Sequence, residues 1–230
     1  MSHVRALRAV RSGFTVVELM VVMAIIALLV GILLPSLGLI RRNAQETVCQ
    51  SNLRCMGAAL IGYCNACGEH MPLSSHTTSS QTSPQAWVNS LKSYGFDGDV
   101  RRCPADPYAQ QRPSSYATNS YLEPLVAGID YDPATHATLP GGRDQARTRL
   151  SQVPHPETTL WAVEMSGTGF VDHIHSVGWT SSDQVKAAVA VLRHGNSSNA
   201  TFVDGHAAGV LWTRLATDFD SGHNPFDPDQ

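Results

Sequence analysis

The sequence predicts an α+β chain, in which a long N-terminal helix packs its second half on a small antiparallel β-sheet head. Three observations carry this. No charged residue stands between Leu19 and Ile40, close to the ~20 apolar residues that a bilayer-spanning helix needs. After Arg41 and Arg42, apolar residues recur at Cys49, Leu53, Met56, Leu60, Tyr63 or Cys64, and Cys67, in the steps of three and four that mark an amphipathic helix. From residue 68 onward, Ser, Thr, Gly, Pro and His dominate, with short β-type runs between turns.

The 230 residues suffice for one domain plus an extra segment. Formal net charge is −3, and the first 13 residues contribute Arg5, Arg8 and Arg11 without an acid. The remainder therefore holds 13 basic against 19 acidic residues, a balance of −6. Nothing in that balance argues for nucleic-acid binding, which wants a basic face. Three arginines ahead of the apolar run predict a cytoplasmic N-terminus. The bulk of the chain then lies in an oxidising compartment, where five cysteines are disulfide candidates.

Residues 1–13 read as a basic leader, and residues 14–38 as a membrane-spanning helix. The apolar run is too long for the h-region of an ordinary signal peptide. A signal peptide cut near Ser36-Leu37-Gly38 and an unprocessed anchor are the alternatives. Glu18 is the conspicuous residue, a carboxylate just inside an apolar helix, where it costs a few kcal/mol unless partnered. The order basic leader, Gly13-Phe14-Thr15-Val16-Val17-Glu18, long apolar helix and late Pro35 resembles the N-terminal signal of type IV pilins and type II secretion pseudopilins.

That resemblance implies a pilin-like fold, cleavage by prepilin peptidase between Gly13 and Phe14, and N-methylation of Phe14. The partners it implies are the peptidase, the inner membrane and other pilin or pseudopilin subunits, met through the N-terminal helix. The chain is then expected to cross the inner membrane once with its head in the periplasm, or to stand in an assembled pilus. Cleavage would create a positive amine one helical turn from Glu18. Pairing the two removes two desolvation penalties, so Glu18 is expected to set subunit register. Pro35 lacks an amide hydrogen, so a kink or melted stretch is expected over residues 31–38. The helix is expected to continue as an amphipathic segment over 39–67, ended by Gly68.

In the head, residues 68–230, strand-like runs occur at 159–164, 169–175, 200–203 and 207–212. Residues 185–192 form a short apolar piece, helix or strand, and 130–149 reads as a loop. Asp204-Gly205 between two strand-like runs is a hairpin signal. His194 followed after nine residues by Asp204-Gly205 matches the H-x9-DG element of a large group of bacterial pilin-like proteins. Cys49-x-x-Asn52-Leu53, Cys103-Pro104 and Ser115-Tyr116-x-x-Asn119 match further landmarks of that group.

Cys49 falls on the apolar helix face and Cys103 in the head, so a bridge between them would staple one to the other, worth ~3–5 kcal/mol. Cys64-x-x-Cys67 reads as a local disulfide, or with Cys55 as half a zinc site. An odd count leaves at least one thiol unpaired. His194, Asp204 and His206, with Asp172, His173 and His175, form a possible metal set. The reading adopted instead is that Asp204-Gly205 makes the turn while His194 bonds a loop carbonyl. Asp218, Asp220 and Asp227 alternate loosely like a calcium loop, without the glycine and terminal Glu of an EF-hand. The resemblance to calcium-carrying pseudopilins keeps that ion as a weak candidate, and no other cofactor is expected.

The expected function is therefore that of an assembling subunit, a pseudopilin or minor pilin, and not an enzyme. Gly-x-Ser-x-Gly, His-Glu-x-x-His and P-loop patterns are all missing. The alternatives are a membrane-anchored ligand-binding module that stays monomeric and an exported hydrolase.

Overall fold

The computed structural model describes residues 14–123, 147–176 and 179–230. The leader with Gly13, and residues 130–146 of the predicted loop, lie outside them. The chain divides into two compact units, Met1–Arg41 and Arg42–Gln230.

Helix α1 runs Val16–Ala66, 51 residues. Its first part is apolar on every side, and residues 14–44 are all exposed. By length and composition it is a helix able to cross a membrane. Pro35 does not melt it. The helix is continuous over 31–38, which corrects the melted stretch that was the alternative to a kink. A proline removes one N–H, and the damage is local. The Ser36 hydroxyl meanwhile bonds the Leu33 carbonyl at 2.8 Å. At the other end, Gly68 takes φ +65° and the Glu69 amide donates to the Cys64 carbonyl at 2.7 Å. This is a Schellman-type stop, which glycine adopts without a Cβ clash.

Within the second unit, Cys49, Leu53, Met56, Leu60 and Cys64 are fully buried on one helix face. Short helices α2 (Ser75–Thr78) and α3 (Trp87–Ser90) follow. Then come β1 (Tyr116–Asn119), β2 (Leu160–Glu164), β3 (His173–Ile174), α4 (Ser182–Ala188), β4 (Ser197–Phe202), β5 (Ala207–Leu211) and α5 (Trp212–Asp220). The ambiguous piece near residue 185 is thus helical at its start. The described strands form one five-stranded sheet in the order β3-β1-β2-β4-β5. Three pairings are antiparallel, but β3 runs parallel to β1. The chain reverses after β2 and lands beyond β1 rather than beside β2, so the sheet is mixed.

The two sheet faces bury different partners. Tyr116, Trp161, Ala162 and Val203 pack with the buried face of α1 and with Trp87 and Phe96. Ala117, Leu160, Val163 and Ala200 pack with Val185 of α4 and Leu215 and Phe219 of α5. A register shift between Leu160 and Ala162 lets the consecutive Trp161 and Ala162 share the α1 side. Alternation then returns Glu164 to that side.

Candidate functional site

At its N-terminal end, α1 begins with a reciprocal cap. The Thr15 amide and hydroxyl both donate to Glu18 Oε2 at 2.8 Å, and the Glu18 amide donates back to Thr15 Oγ1 at 3.2 Å. This is the capping box Thr-x-x-Glu, which satisfies amides that the first helical turn leaves orphaned. Glu18 therefore has a partner in the intact chain, one the sequence reading overlooked although Thr15-x-x-Glu18 is its standard signal. Phe14, directly before the cap, is exposed.

The head landmarks converge on the contact between α1 and the sheet. Cys49 and Cys103 are joined by a disulfide with Cα atoms 4.9 Å apart. The Asn52 side chain donates to the Arg102 carbonyl at 2.9 Å, and the Thr201 hydroxyl to the Leu53 carbonyl at 2.9 Å. Asn119 lies away from that contact and donates to the Leu160 carbonyl of β2 and the Phe226 carbonyl of the C-terminal tail. Gly205 sits at the tip of the β4–β5 hairpin with φ +88°. A Cβ there would lie 2.7 Å from Ile61 Cγ1, and a Cβ on Gly57 would lie 2.0 Å from the Gly205 carbonyl oxygen. Two glycines thus let helix backbone and hairpin backbone touch. Asp204 accepts from the His206 amide at 3.0 Å and pairs with the His206 ring at 2.6 Å.

The His194 ring nitrogen Nε2 faces Glu164 and Cys103 rather than a loop carbonyl, while the His194 amide donates to the Ser197 carbonyl at 3.1 Å. Its side chain is buried, and Nε2 lies 2.9 Å from Glu164 Oε1 and 3.7 Å from Cys103 Sγ. The reason is the bulge in β2, which delivers Glu164 to the α1 side. Ser198 Oγ and the Asn199 amide donate to Glu164 Oε2 at 3.2 and 2.9 Å. Next to this pair, Asp106 is clasped by Arg112, by Ser115 Oγ at 2.6 Å and by Arg193 at 3.6 Å. Burial pushes the Asp106 carboxyl up, but the hydrogen bonds and Arg193 outweigh it and hold it below the usual range. Glu164 and the Asp106–Arg112–Arg193 cluster escaped sequence reasoning. An acid closing the apolar run Leu160-Trp161-Ala162-Val163 was the available signal.

The alternative metal set is split. His194 lies by the disulfide, Asp204 and His206 at the hairpin tip, and the third group apart at β3. There Asp172 Oδ1 contacts His173 Nδ1 at 2.9 Å, while His173 and His175 approach through Nε2 at 3.1 Å. Ser75 donates to both Asp172 oxygens. These hydrogen bonds, with His173, lower the Asp172 carboxyl against the upward push of burial. Glu123 nearby accepts from the Ser74 amide and hydroxyl, yet burial raises it to about 7. A cavity of about 550 Å³ opens beside His173 and His175, lined also by Met165, Val171 and Trp179. The calcium candidates do not converge. Asp218 and Asp220 lie on α5, where Asp218 faces Arg214 at 3.9 Å, and Asp227 takes the Asp229 amide and the Gln230 side chain. Helical geometry replaces the loop that alternating ligands need. Among the described residues the one group of three or more metal-type side chains is Cys49, Cys103, Glu164 and His194.

Cys55, Cys64 and Cys67 are free thiols, so the expected local bridge is not formed. Burial pushes the Cys64 thiol up to about 12, which keeps it protonated and unreactive.

Residues 8–34 match the model of the prokaryotic N-terminal methylation motif. The match supports a type IV pilin-like or pseudopilin-type subunit, and points to a structural role rather than an enzymatic one. It is consistent with membrane anchoring or pilus assembly. No curated protein and no solved structure matches the chain.

Proposed function

We propose that the chain is a pseudopilin or minor pilin of a type II secretion or type IV pilus-like machine. Prepilin peptidase removes residues 1–13, and Phe14 is then N-methylated. Residues 14–38 cross the inner membrane with the cytoplasmic end first, 39–67 continue the helix, and 68–230 form the periplasmic head. The His194 to Gly205 element seats that head on the helix. The observation that carries this reading is the methylation motif over residues 8–34 with Glu18 inside it.

The capping box gives Glu18 a defined place one turn from the bond to be cut. After cleavage, the new Phe14 amine and the Glu18 carboxylate are the two charges at the head of an otherwise apolar helix. Leaving either unpaired in lipid is costly, so they pair within a chain or between neighbours. The test is cross-linking in membranes that contain the rest of the assembly machinery. Glu18→Leu should leave an inserted, folded subunit that gives no cross-linked ladder. A normal ladder from that variant would refute the role of Glu18 in assembly.

The cavity beside His173 and His175 favours a second reading, a membrane-tethered module that binds a ligand as a monomer. The same cross-linking separates the two, since a tethered monomer gives no ladder in the unaltered chain.

A further inference from the structure

We propose that Cys49, Cys103, His194 and Glu164 form a second kind of staple when the disulfide is reduced: a tetrahedral site for a divalent ion of the zinc class. Their four ligand atoms lie within 4.8 Å of one another. A disulfide that only cross-links needs no polar neighbour. Here a buried imidazole and a buried carboxylate stand directly on it, at the desolvation cost that such groups carry. Two sulfurs, one nitrogen and one oxygen make a complete donor set for zinc, which takes sulfur at ~2.3 Å and nitrogen or oxygen at ~2.0–2.2 Å.

The surroundings fit an ion as well. Ser198 and Asn199 hold Glu164 through Oε2, leaving Oε1, the oxygen nearest His194, for the metal. Such outer contacts orient ligands in metal sites. The charge also balances. Arg112, Arg193 and Asp106 together supply one positive charge beside Glu164. A dication with two thiolates adds none, so the buried cluster is as neutral with the ion as with the disulfide.

The conversion is a two-electron reduction followed by ligand exchange. A dithiol reductant breaks the Cys49–Cys103 bond, delivering two electrons and two protons, and leaves as its own disulfide. The ion then displaces both thiol protons to solvent as two metal–sulfur bonds form. The proton that His194 Nε2 shares with Glu164 Oε1 in the disulfide form moves to Nδ1, so that Nε2 and Oε1 both bind the ion. The helix stays fixed to the sheet in either form.

The test uses the full chain in detergent with Cys55, Cys64 and Cys67 changed to Ser. Cobalt(II) is the probe. After reduction, one equivalent should bind with the visible absorption of a tetrahedral thiolate complex, and zinc should bleach it. The oxidised chain should bind none. Cys103→Ser should abolish the signal, and His194→Ala should weaken binding by at least ~10-fold, the loss that even an outer-shell change brings. His194→Gln serves where alanine disturbs the fold, which circular dichroism monitors. The proposal is overturned if the reduced chain takes up no stoichiometric cobalt. It is equally overturned if Cys103→Ser binds as well as its parent, or if a reduced chain that loses its fold is not restored by zinc.

Discussion

The two halves of α1 share a backbone and differ in what their side chains meet. Up to residue 44 every side chain is exposed, and the apolar residues surround the axis. From Cys49 to Cys64 a single face carries the fully buried residues, and Gln50, Ser51 and Arg54 stand outside it. In the first half the sole acid after Phe14 is held by a cap at the helix start. In the second, contacts run outward to the head, from Asn52 to Arg102, from Leu53 to Thr201 of β4 and through the disulfide to Cys103. The difference teaches that one secondary structure carries two kinds of surface. The first half leaves its apolar side chains uncovered, which is consistent with membrane anchoring or assembly, and the second is already spent on its own head.

Changes in the second half should therefore unsettle the head, and changes in the first should not. The largest effect is expected from the staple. Cys49→Ser with Cys103→Ser, in metal-free buffer, opens a loop of 54 residues in sequence separation. That should cost about 4 kcal/mol by loop-closure entropy, read from denaturant melts of the full chain in detergent. Glu18→Leu in the same melts should leave the head's midpoint unchanged.

Next is pH. Glu123 ionises in the unfolded chain near its ordinary value of 4.5, but in the folded head only at about 7. Folding therefore retains a proton that the unfolded chain has lost, and stability falls as pH rises from about 4.5 to about 7. The fall should be on the order of 3 kcal/mol, and Glu123→Gln should flatten it. Asp106 and Asp172 are lowered, so their contribution is lost at the acid end, as pH falls through their folded values. A melt series from about pH 2 to about pH 8 separates the two trends.

Gly57→Ala is a smaller, sharper probe of where helix and hairpin touch. The added methyl would meet the Gly205 carbonyl, so the hairpin must shift, costing about 1–3 kcal/mol. Gly38→Ala is the matching change in the first half. A Cβ there meets nothing within 4 Å, and the head's melting midpoint should not move.

The same contrast explains what could be read from sequence. The spacing Cys49, Leu53, Met56, Leu60 marks the buried face because an α-helix repeats that geometry regardless of partner. Asp204-Gly205 marks the hairpin because its turn chemistry is local. The parallel β3 was not legible, because two residues carry no register signal and the reversal after β2 depends on tertiary space. Nor was the Glu164–His194 pair, since it needs a bulge that shifts alternation by one. Gly57 could have been flagged as a glycine inside a helix. Its partner, 148 positions further on, could not. Glu18 was legible through both its cost in lipid and its local partner, since Thr15-x-x-Glu18 is a capping-box pattern.

The central claim is that the first half is a processed assembly element while the second belongs to the head. Its most direct test is mass spectrometry of the chain extracted from the membrane of cells that carry prepilin peptidase. The account predicts an N-terminal peptide that begins with N-methylated Phe14. A chain that still begins at Met1, or one cut after Gly38, would contradict it.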